Sequence, residues 1–226
     1  MFKPLNDTVE GEIPPPIVTL TPKESQMSYI AEMKGVLSNF SVLQSAAKQG
    51  GFLNSDFDSD GELRSTNLVY IYKDGVYPSL ALQATRSYLL TESTQFVTTA
   101  YDDSTVLDGI QLDQFVIPTN EEGGVLIPFR GGPYTFPYFS ATDILENRVA
   151  SADIAGKLIF VGATATGLGD LQPTAVASEY PGVEVHATVS MANRIEPFLA
   201  INFEPLFQRK ITYLALISVD SFPLPA

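Results

Sequence analysis

The residues best suited to chemistry lie in a glycine-containing loop from Gly162 to Thr174, directly after an apolar run at Lys157–Val161. The loop has further glycines at 167 and 169, and Asp170 is its one ionisable residue. Ligands of α/β proteins collect where loops leave the carboxyl ends of strands, so backbone contact with a small ligand is one interpretation of these glycines. The other interpretation is structural, because glycine supplies positive φ angles and close packing at a tight strand exit.

The loop matches neither of the common phosphate-binding templates. A P-loop needs lysine where Leu168 stands, and a dinucleotide fingerprint needs glycine where Gln172 stands. The class of ligand therefore stays open, and no cofactor is predicted.

Arg130 is a second candidate for ligand contact. It follows a predicted strand at Val125–Phe129 and precedes two glycines, so its guanidinium could hold a carboxylate or a phosphate. An internal ion pair with Asp143 or Asp170 is the favoured alternative. If a pocket exists, its predicted ligand contacts are Arg130, Thr164, Thr166, Gly167, Gly169 and Asp170.

Asp170 and His186 raise the competing hypothesis of a soluble α/β hydrolase or transferase. His186 is the only histidine, and the sequence has no nucleophile elbow of the form Gly-x-Ser-x-Gly. A histidine at the start of a helix is more often neutral and bonded to the backbone, and one histidine cannot build a typical zinc site alone. We therefore predict no catalytic residue and no metal centre. The competing hypothesis requires that Asp170 and His186 lie within hydrogen-bonding reach.

An acidic loop at Ser55–Gly61 resembles the first half of a calcium-binding loop. Aspartates at 56, 58 and 60 stand at its first, third and fifth positions, and Gly61 stands at the sixth. The twelfth position should be a bidentate glutamate and is Asn67, and the flanking segments are predicted strands instead of helices. A plain acidic hairpin turn is the favoured interpretation, and calcium binding at Asp56, Asp58 and Asp60 stays open.

Apolar periodicity and turn residues predict a mixed α/β fold, an αβα-like sandwich with β-hairpins in its sheet and helices packed on the faces. Predicted helices cover about 21–34, 40–48, 79–90, 140–147 and 183–195. Predicted strands cover 17–20, 52–54, 63–72, 76–77, 110–117, 125–129 and 157–161, the last of them buried on both faces. Hairpin turns are predicted at Asp60-Gly61 and at Lys73-Asp74-Gly75.

Composition excludes several classes of function. Thirteen basic and 26 acidic residues give a formal net charge of −13, which argues against binding nucleic acid through bulk electrostatics. The absence of cysteine excludes disulfides, thiol catalysis and cysteine metal sites. Neither a signal peptide nor a complete membrane helix is expected in the chain as written. The apolar stretch Ile211–Val219 is expected to be the start of a membrane segment or part of a disordered tail.

Several blocks, taken in order, resemble CHASE sensor domains of the second type. The blocks are GFLN at 51–54, Asp58 with Asp60-Gly61 and Arg64, YPSLAL at 77–82, IPFRG at 127–131, Thr135-Phe136, SATDIL at 140–145, VGATATGLGD at 161–170, Pro173-Thr174 and PGVEVHA at 181–187. They cover roughly residues 40 to 205, and several matched blocks in sequence are far more specific than one glycine motif.

The resemblance implies an extracytoplasmic sensory input domain of a bacterial signal-transduction receptor, such as a cyclase or a histidine kinase. It implies an unknown small-molecule or protein signal, attachment to the membrane through flanking helices, a periplasmic or extracellular position, and a homodimer as one allowed assembly. It supplies no established ligand. We divide the chain into an extended segment at 1–21, a sensor domain at 22–205 and a membrane-segment start or disordered tail at 206–226. Compared with the family pattern, the chain is expected to lack the first strands and the membrane helices.

Overall fold

The computed structural model of the chain describes residues 2–3, 9–21, 29–91, 93–101, 104–164, 170–195 and 215–218. Its strands are β1 (Phe2–Lys3), β2 (Val9–Glu10), β3 (Val18–Thr19), β4 (Gly35–Leu37), β5 (Ser65–Asn67), β6 (Val69–Tyr72), β7 (Gly75–Pro78), β8 (Thr94–Tyr101), β9 (Ser104–Leu112), β10 (Phe115–Pro118), β11 (Gly124–Leu126), β12 (Tyr138–Ser140), β13 (Ile159–Gly162), β14 (Leu171–Thr174), β15 (Ala177–Pro181) and β16 (Ala215–Ser218). Its helices are α1 (Ser41–Ala47), α2 (Leu80–Leu89), α3 (Ala141–Leu145), α4 (Ser151–Ile154) and α5 (Gly182–Ile195). The mixed α/β class predicted from the sequence is confirmed.

The chain divides into two compact units. The first comprises Met1–Phe57, Ser65–Ile127 and Ser190–Pro197, and the second comprises Asp58–Arg64, Pro128–Val189 and Phe198–Ala226. The domain boundaries predicted from the sequence, after residues 21 and 205, stay a prediction.

The first unit is built around the sheet β3-β7-β6. All four residues of β6 are buried, which matches its run of apolar and aromatic side chains. Strands β6 and β7 pair in antiparallel register across Lys73 and Asp74, as predicted, and Lys73 takes the left-handed conformation, with φ 57°, at this tight turn. The core beside this sheet is a cluster of Met33, Val36, Phe52, Tyr70 and Tyr72.

Helix α2 of the first unit begins where its capping residue predicts. Ser79 Oγ accepts a hydrogen bond from the Leu82 N–H at 3.2 Å, and Leu90 ends the helix in the left-handed conformation. The described residues of this unit also form the sheets β1-β4-β2, β10-β9-β8 and β11-β5.

The second unit combines a parallel sheet with a hairpin. Strand β16 pairs in parallel with β12 on one side and β13 on the other, while β14 and β15 form an antiparallel pair that runs directly into α5. The helix predicted at 183–195 is confirmed within one residue, and Val183, Val185 and Val189 are buried along it. Within the predicted tail at 206–226, the described residues 215–218 form strand β16, and the prediction of a membrane segment or disordered tail stays a prediction.

The helix predicted from residue 21 to 34 is wrong where it can be checked. Residues 22–28 lie outside the described residues, and the chain is extended at 29–34. The Ile71 N–H donates to the Ala31 carbonyl at 3.0 Å, and the Met33 N–H donates to the Ile71 carbonyl at 2.8 Å. Pairing with β6 therefore excludes residues 31–33 from the predicted helix.

The hairpin predicted at Asp60-Gly61 is also wrong. Its two predicted strands do not pair with each other, because Phe52 bridges to Ser79 and Leu63 bridges to Thr174. The longer of them divides into β5 and β6, which pair with β11 and β7 respectively.

Two further strand predictions need correction. The segment 110–117 contains a turn at Asp113, with φ 51°, so it is the end of β9 and the start of β10 instead of one strand. The strand at 157–161 was predicted to be buried on both faces, but Val161 is 65% exposed in β13. The alternation of apolar and polar residues at 110–117 continues through the turn, so it gives no sign of the turn. The short apolar run at 157–161 does not show whether a strand is buried on one face or on both.

Candidate functional site

The ligand contacts predicted from the sequence are only partly visible in the structure. Thr166, Gly167 and Gly169 lie outside the described residues. Arg130 is exposed just after β11, Thr164 is buried just after β13, and Asp170 is half-buried just before β14. No contact joins these three side chains to one another within the described ranges, so the predicted set stays a prediction.

The ion pairs considered for Arg130 do not form within the described part of the chain. Asp143 instead binds Arg148 Nη2 at 2.6 Å, and its N–H donates to the Ser140 side chain at 3.0 Å. The hydrogen bond from Arg148 lowers the pKa of Asp143. Ser140 thus caps α3 as the sequence predicted.

Asp170 ties the hairpin to the start of α5. Its main-chain carbonyl accepts from the Gly182 N–H at 2.8 Å, and its carboxylate accepts hydrogen bonds from Gln172 and from the Val183 N–H. Burial raises the pKa of Asp170, and these two bonds oppose that effect. A Cβ at Gly182 would overlap the Asp170 carboxylate, which explains the glycine at this position. The carboxylate therefore satisfies an otherwise unpaired donor at a helix N-terminus.

Glu184 is the most completely enclosed charged residue near these elements. Its exposed fraction is 0%, although it belongs to the first turn of α5. The Tyr134 N–H and the Tyr138 hydroxyl each donate to Oε2 at 2.8 Å, and the Thr135 N–H donates to Oε1 at 2.9 Å. Three hydrogen bonds to one carboxylate offset the cost of removing it from water, since a buried charge is tolerated only when it is hydrogen-bonded.

The three donors come from one loop, residues 131–138, which we call the docked loop. Thr135 Oγ1 donates to the Gly132 carbonyl at 2.6 Å and closes a turn in it, and Tyr134 takes a left-handed φ of 63°. Burial raises the pKa of Tyr138, and its hydrogen bond to Glu184 raises it further, so the phenol stays a donor at neutral pH. The docked loop is thus held on α5 by a carboxylate that has no cationic partner among the described residues.

His186 follows two residues after Glu184 and is mostly buried. Burial lowers its pKa to about 4, so the imidazole is neutral at pH 7. No hydrogen bond joins His186 to Asp170 in the ranges that the structure describes, and Asp170 is engaged with the start of α5. The geometry therefore offers the competing hydrolase or transferase hypothesis no support.

The acidic loop uses its carboxylates in two ways. Asp58, Asp60 and Glu62 all bind the guanidinium of Arg64, at 2.6, 2.7 and 2.6 Å respectively. In the first unit, Asp56 accepts hydrogen bonds from the Tyr70 hydroxyl and from Asn67 Nδ2. Among the described residues, no group of three or more acidic or histidine side chains is placed to hold a metal ion. Arg64 occupies the position that a cation would need.

The first unit contains a cavity of about 310 Å³. Its lining comes from the N-terminal segment, β4, the start of α1 and the segment after α1, and is formed by Ile13, Pro14, Val36, Leu37, Ser38, Asn39, Gln44, Gly50, Gly51, Phe52, Leu53 and Tyr77. None of these side chains is charged. The volume falls at the lower end of the usual range for small-molecule sites.

The sequence-based search missed both Glu184 and this cavity. A signal for Glu184 was present, since it is the only acidic residue in the apolar helix at 182–195. The cavity left no comparable signal, because its walls are scattered from residue 13 to residue 77 and only packing brings them together.

Comparison with known proteins gave one match. The family model described as the CHASE2 domain matches residues 7–215 of the chain. Comparisons with curated proteins and with solved structures found no significant match. No helix in the described part of the chain is both long and apolar enough to cross a bilayer.

Proposed function

Because the chain belongs to the CHASE2 domain family, we propose that it is the input domain of a bacterial receptor whose effector is a cyclase, a histidine kinase or a related enzyme. CHASE2 domains are extracytoplasmic sensory domains of receptors, and the family match over residues 7–215 is the observation that carries the proposal. The signal is a small molecule or a protein, and the full receptor is held in the membrane by helices outside the sensor.

The domain transmits the signal by a change of conformation and not by catalysing a reaction. A signal that binds one conformation more tightly than another shifts the balance between them by that difference in affinity. The docked loop is a suitable element for such a shift, because it contacts Glu184 through three discrete hydrogen bonds that are either made or broken. A neutral, mostly buried His186 and an Asp170 engaged at a helix start also suit a structural role better than catalysis.

The glycine loop remains a proposed point of ligand contact, through Arg130, Thr164 and Asp170 together with Thr166, Gly167 and Gly169. It is supported by its place after β13 and by the exposure of Arg130. Asp170 already serves the start of α5, so a ligand there would compete with the Val183 N–H for the carboxylate.

The extracytoplasmic position can be tested by cysteine labelling, since the chain contains no cysteine of its own. Ser178 is exposed on β15, so Ser178→Cys in the full-length receptor should react with a membrane-impermeant maleimide in intact spheroplasts. Ser190 is only 3% exposed, and Ser190→Cys is the matched control that should react only after denaturation. Labelling of Ser178→Cys only after the membrane is permeabilised would place the domain in the cytoplasm and overturn the proposal.

A further inference from the structure

The walls of the cavity in the first unit are held together by main-chain contacts that leave no room for side chains. The Glu12 N–H donates to the Asn39 carbonyl at 2.9 Å and brings the N-terminal segment against the residues that follow β4. Gly11 beside it has φ +83°, and a Cβ there would lie 2.5 Å from the carbonyl oxygens of Ser38 and Asn39. One wall of the cavity therefore depends on a glycine in the left-handed conformation.

The opposite wall is clamped to the start of α2. The Phe52 N–H donates to the Pro78 carbonyl at 3.0 Å, and the Leu80 N–H donates to the Phe52 carbonyl at 2.8 Å. A Cβ on Gly51 would lie 2.6 Å from the Leu80 main chain, so this position also excludes a side chain. Phe52 belongs to the core cluster, and its ring lies 4.3 Å from that of Tyr70. The cavity is thus bounded on this side by the buried core of the unit.

Gln44 places an open hydrogen-bond acceptor at this cavity. Its side chain is buried, with 3% exposed, although glutamine is usually found at the surface. Its Nε2 donates to the Gln49 carbonyl at 3.4 Å, which is long for a hydrogen bond. No donor to Oε1 is found among the described residues, and this oxygen lies 3.6 Å from the position of a Cβ on Gly50, another lining residue. Gln44 Oε1 is not among the fully enclosed atoms that lack a partner, so water or a ligand in the cavity can reach this acceptor.

We propose that this cavity binds a small uncharged molecule with an apolar body and a hydrogen-bond donor that bonds to Gln44 Oε1. No charged side chain lines the cavity, which disfavours an ionic ligand. The cost of removing its charge from water would not be offset by an opposite charge in the lining. Val36, Phe52 and Tyr77 provide apolar and aromatic surface for the body of the ligand. The site deepens the proposed sensory function, since such a ligand would be the signal, but its existence is testable by binding alone.

Indole and 1-methylindole form a matched pair of probes, because they share an aromatic body and only indole has an N–H donor. Binding of each to the purified full chain would be measured by ligand-detected NMR titration. We expect indole to bind with a Kd of about 1 mM, and 1-methylindole to bind about fivefold more weakly, which is the usual net contribution of one hydrogen bond. Charged indole-3-acetate should bind more weakly than either probe.

Gln44→Leu removes the acceptor while keeping an apolar wall of similar size, so it should abolish the preference for indole over 1-methylindole. Gln95→Leu makes the same chemical change at an exposed position on β8 outside the cavity, and it should leave that preference unchanged. Circular dichroism would verify that both variants fold, and only a folded Gln44→Leu variant is used for the comparison. If Gln44→Leu fails to fold, Gln44→Met, which keeps the length of the side chain and removes the amide acceptor, should likewise abolish the preference for indole.

Three results would overturn the proposal. They are no saturable indole binding up to about 10 mM, equal binding of indole and 1-methylindole to the unmodified chain, and an unchanged preference in the Gln44 variant. These failures are distinct from failure of the proposed function, because the labelling of Ser178→Cys reports the side of the membrane regardless of whether the cavity is occupied. An extracytoplasmic domain without indole binding would refute the cavity site alone.

Discussion

Two buried polar side chains, Glu184 in the second unit and Gln44 in the first, differ in the number and the length of the hydrogen bonds that they make. Glu184 carries a charge and receives three hydrogen bonds of 2.8–2.9 Å from the docked loop. Gln44 is neutral, makes one bond of 3.4 Å and directs its oxygen to a cavity. The charged group is therefore the better satisfied of the two.

This difference separates a structural site from a binding site. Removing a partner from a satisfied buried group exposes the full cost of desolvation, so such a group holds a particular arrangement of the chain in place. An acceptor that faces a cavity can bond to water in the free protein and to the donor of a ligand in the complex. On this argument the Glu184 contacts stabilise the fold, while Gln44 is available to a ligand. The following predictions test that distinction.

The largest effect is expected at Glu184. Glu184→Gln replaces one acceptor oxygen with an amide that faces a main-chain donor, so the free energy of unfolding should fall by about 3 kcal/mol in urea titrations. Glu179 is exposed on β15, and Glu179→Gln is the matched control, with an expected change within about 0.5 kcal/mol. Equal urea midpoints for the two variants would show that the docked loop does not depend on Glu184.

The next effect concerns His186, which is mostly buried and has no side-chain hydrogen bond to any residue that the structure describes. Burial depresses its pKa from 6.5 to about 4, so below about pH 6.5 the unfolded chain binds a proton that the folded chain does not. Stability should therefore fall as the pH decreases from about 6.5 to about 4, by about 2.5 kcal/mol over that range. In His186→Gln this slope should be much reduced, and a variant that keeps the full slope would assign it to other groups.

A smaller effect is expected for Gln44→Leu in the absence of any ligand. The change loses one weak hydrogen bond and gains apolar contact, so the free energy of unfolding should change by less than about 1 kcal/mol. Urea unfolding beside Glu184→Gln provides the direct comparison. A loss as large as that of Glu184→Gln would show that the Gln44 amide is a structural group after all, and the distinction between the two sites would fail.

The smallest effect is expected in the acidic loop, where the charged groups are exposed. The hydrogen bond from Arg64 lowers the pKa of Asp60 from 3.8 to about 2, so this pair stabilises the fold above about pH 4 and the contribution is lost as the pH falls toward 2. The difference in stability between the unmodified chain and Arg64→Ala should be small, should shrink over that pH range and should decrease with added salt. A difference that persists at pH 2 would point to a role for Arg64 beyond its ion pairs.

Elements with a strong local signal were predicted well. Ser79 and Ser140 are helix caps in the structure, and the turn at Lys73-Asp74 joins β6 and β7. Each of these features depends on residues within about four positions of one another, and such residues meet whenever the local structure forms.

Elements whose partners are distant in sequence were predicted poorly. The helix predicted to run as far as residue 34 does not include residues 31–33, because they pair with Ile71. The sequence of the acidic loop suggested a hairpin or a calcium site. In the structure Arg64 binds its carboxylates, and Phe52 and Leu63 pair with Ser79 and Thr174 instead of with each other. Glycines at 162, 167 and 169 led to the prediction of a ligand site in one loop. The residues that line the cavity share no motif, so the sequence did not predict it.

Sequence motifs and composition are thus enough to assign this chain to a family, to exclude broad classes of function and to place the helix caps Ser79 and Ser140 and the turn at Lys73-Asp74. Tertiary packing alone decides that Glu184 receives three hydrogen bonds and that Gln44 Oε1 faces a cavity. A hydrogen bond requires that donor and acceptor lie about 3 Å apart, and the donors to Glu184 stand 46 to 50 positions away along the chain. No pattern of neighbouring residues encodes such a distance, and the same is true of the walls that leave the cavity open beside Gln44.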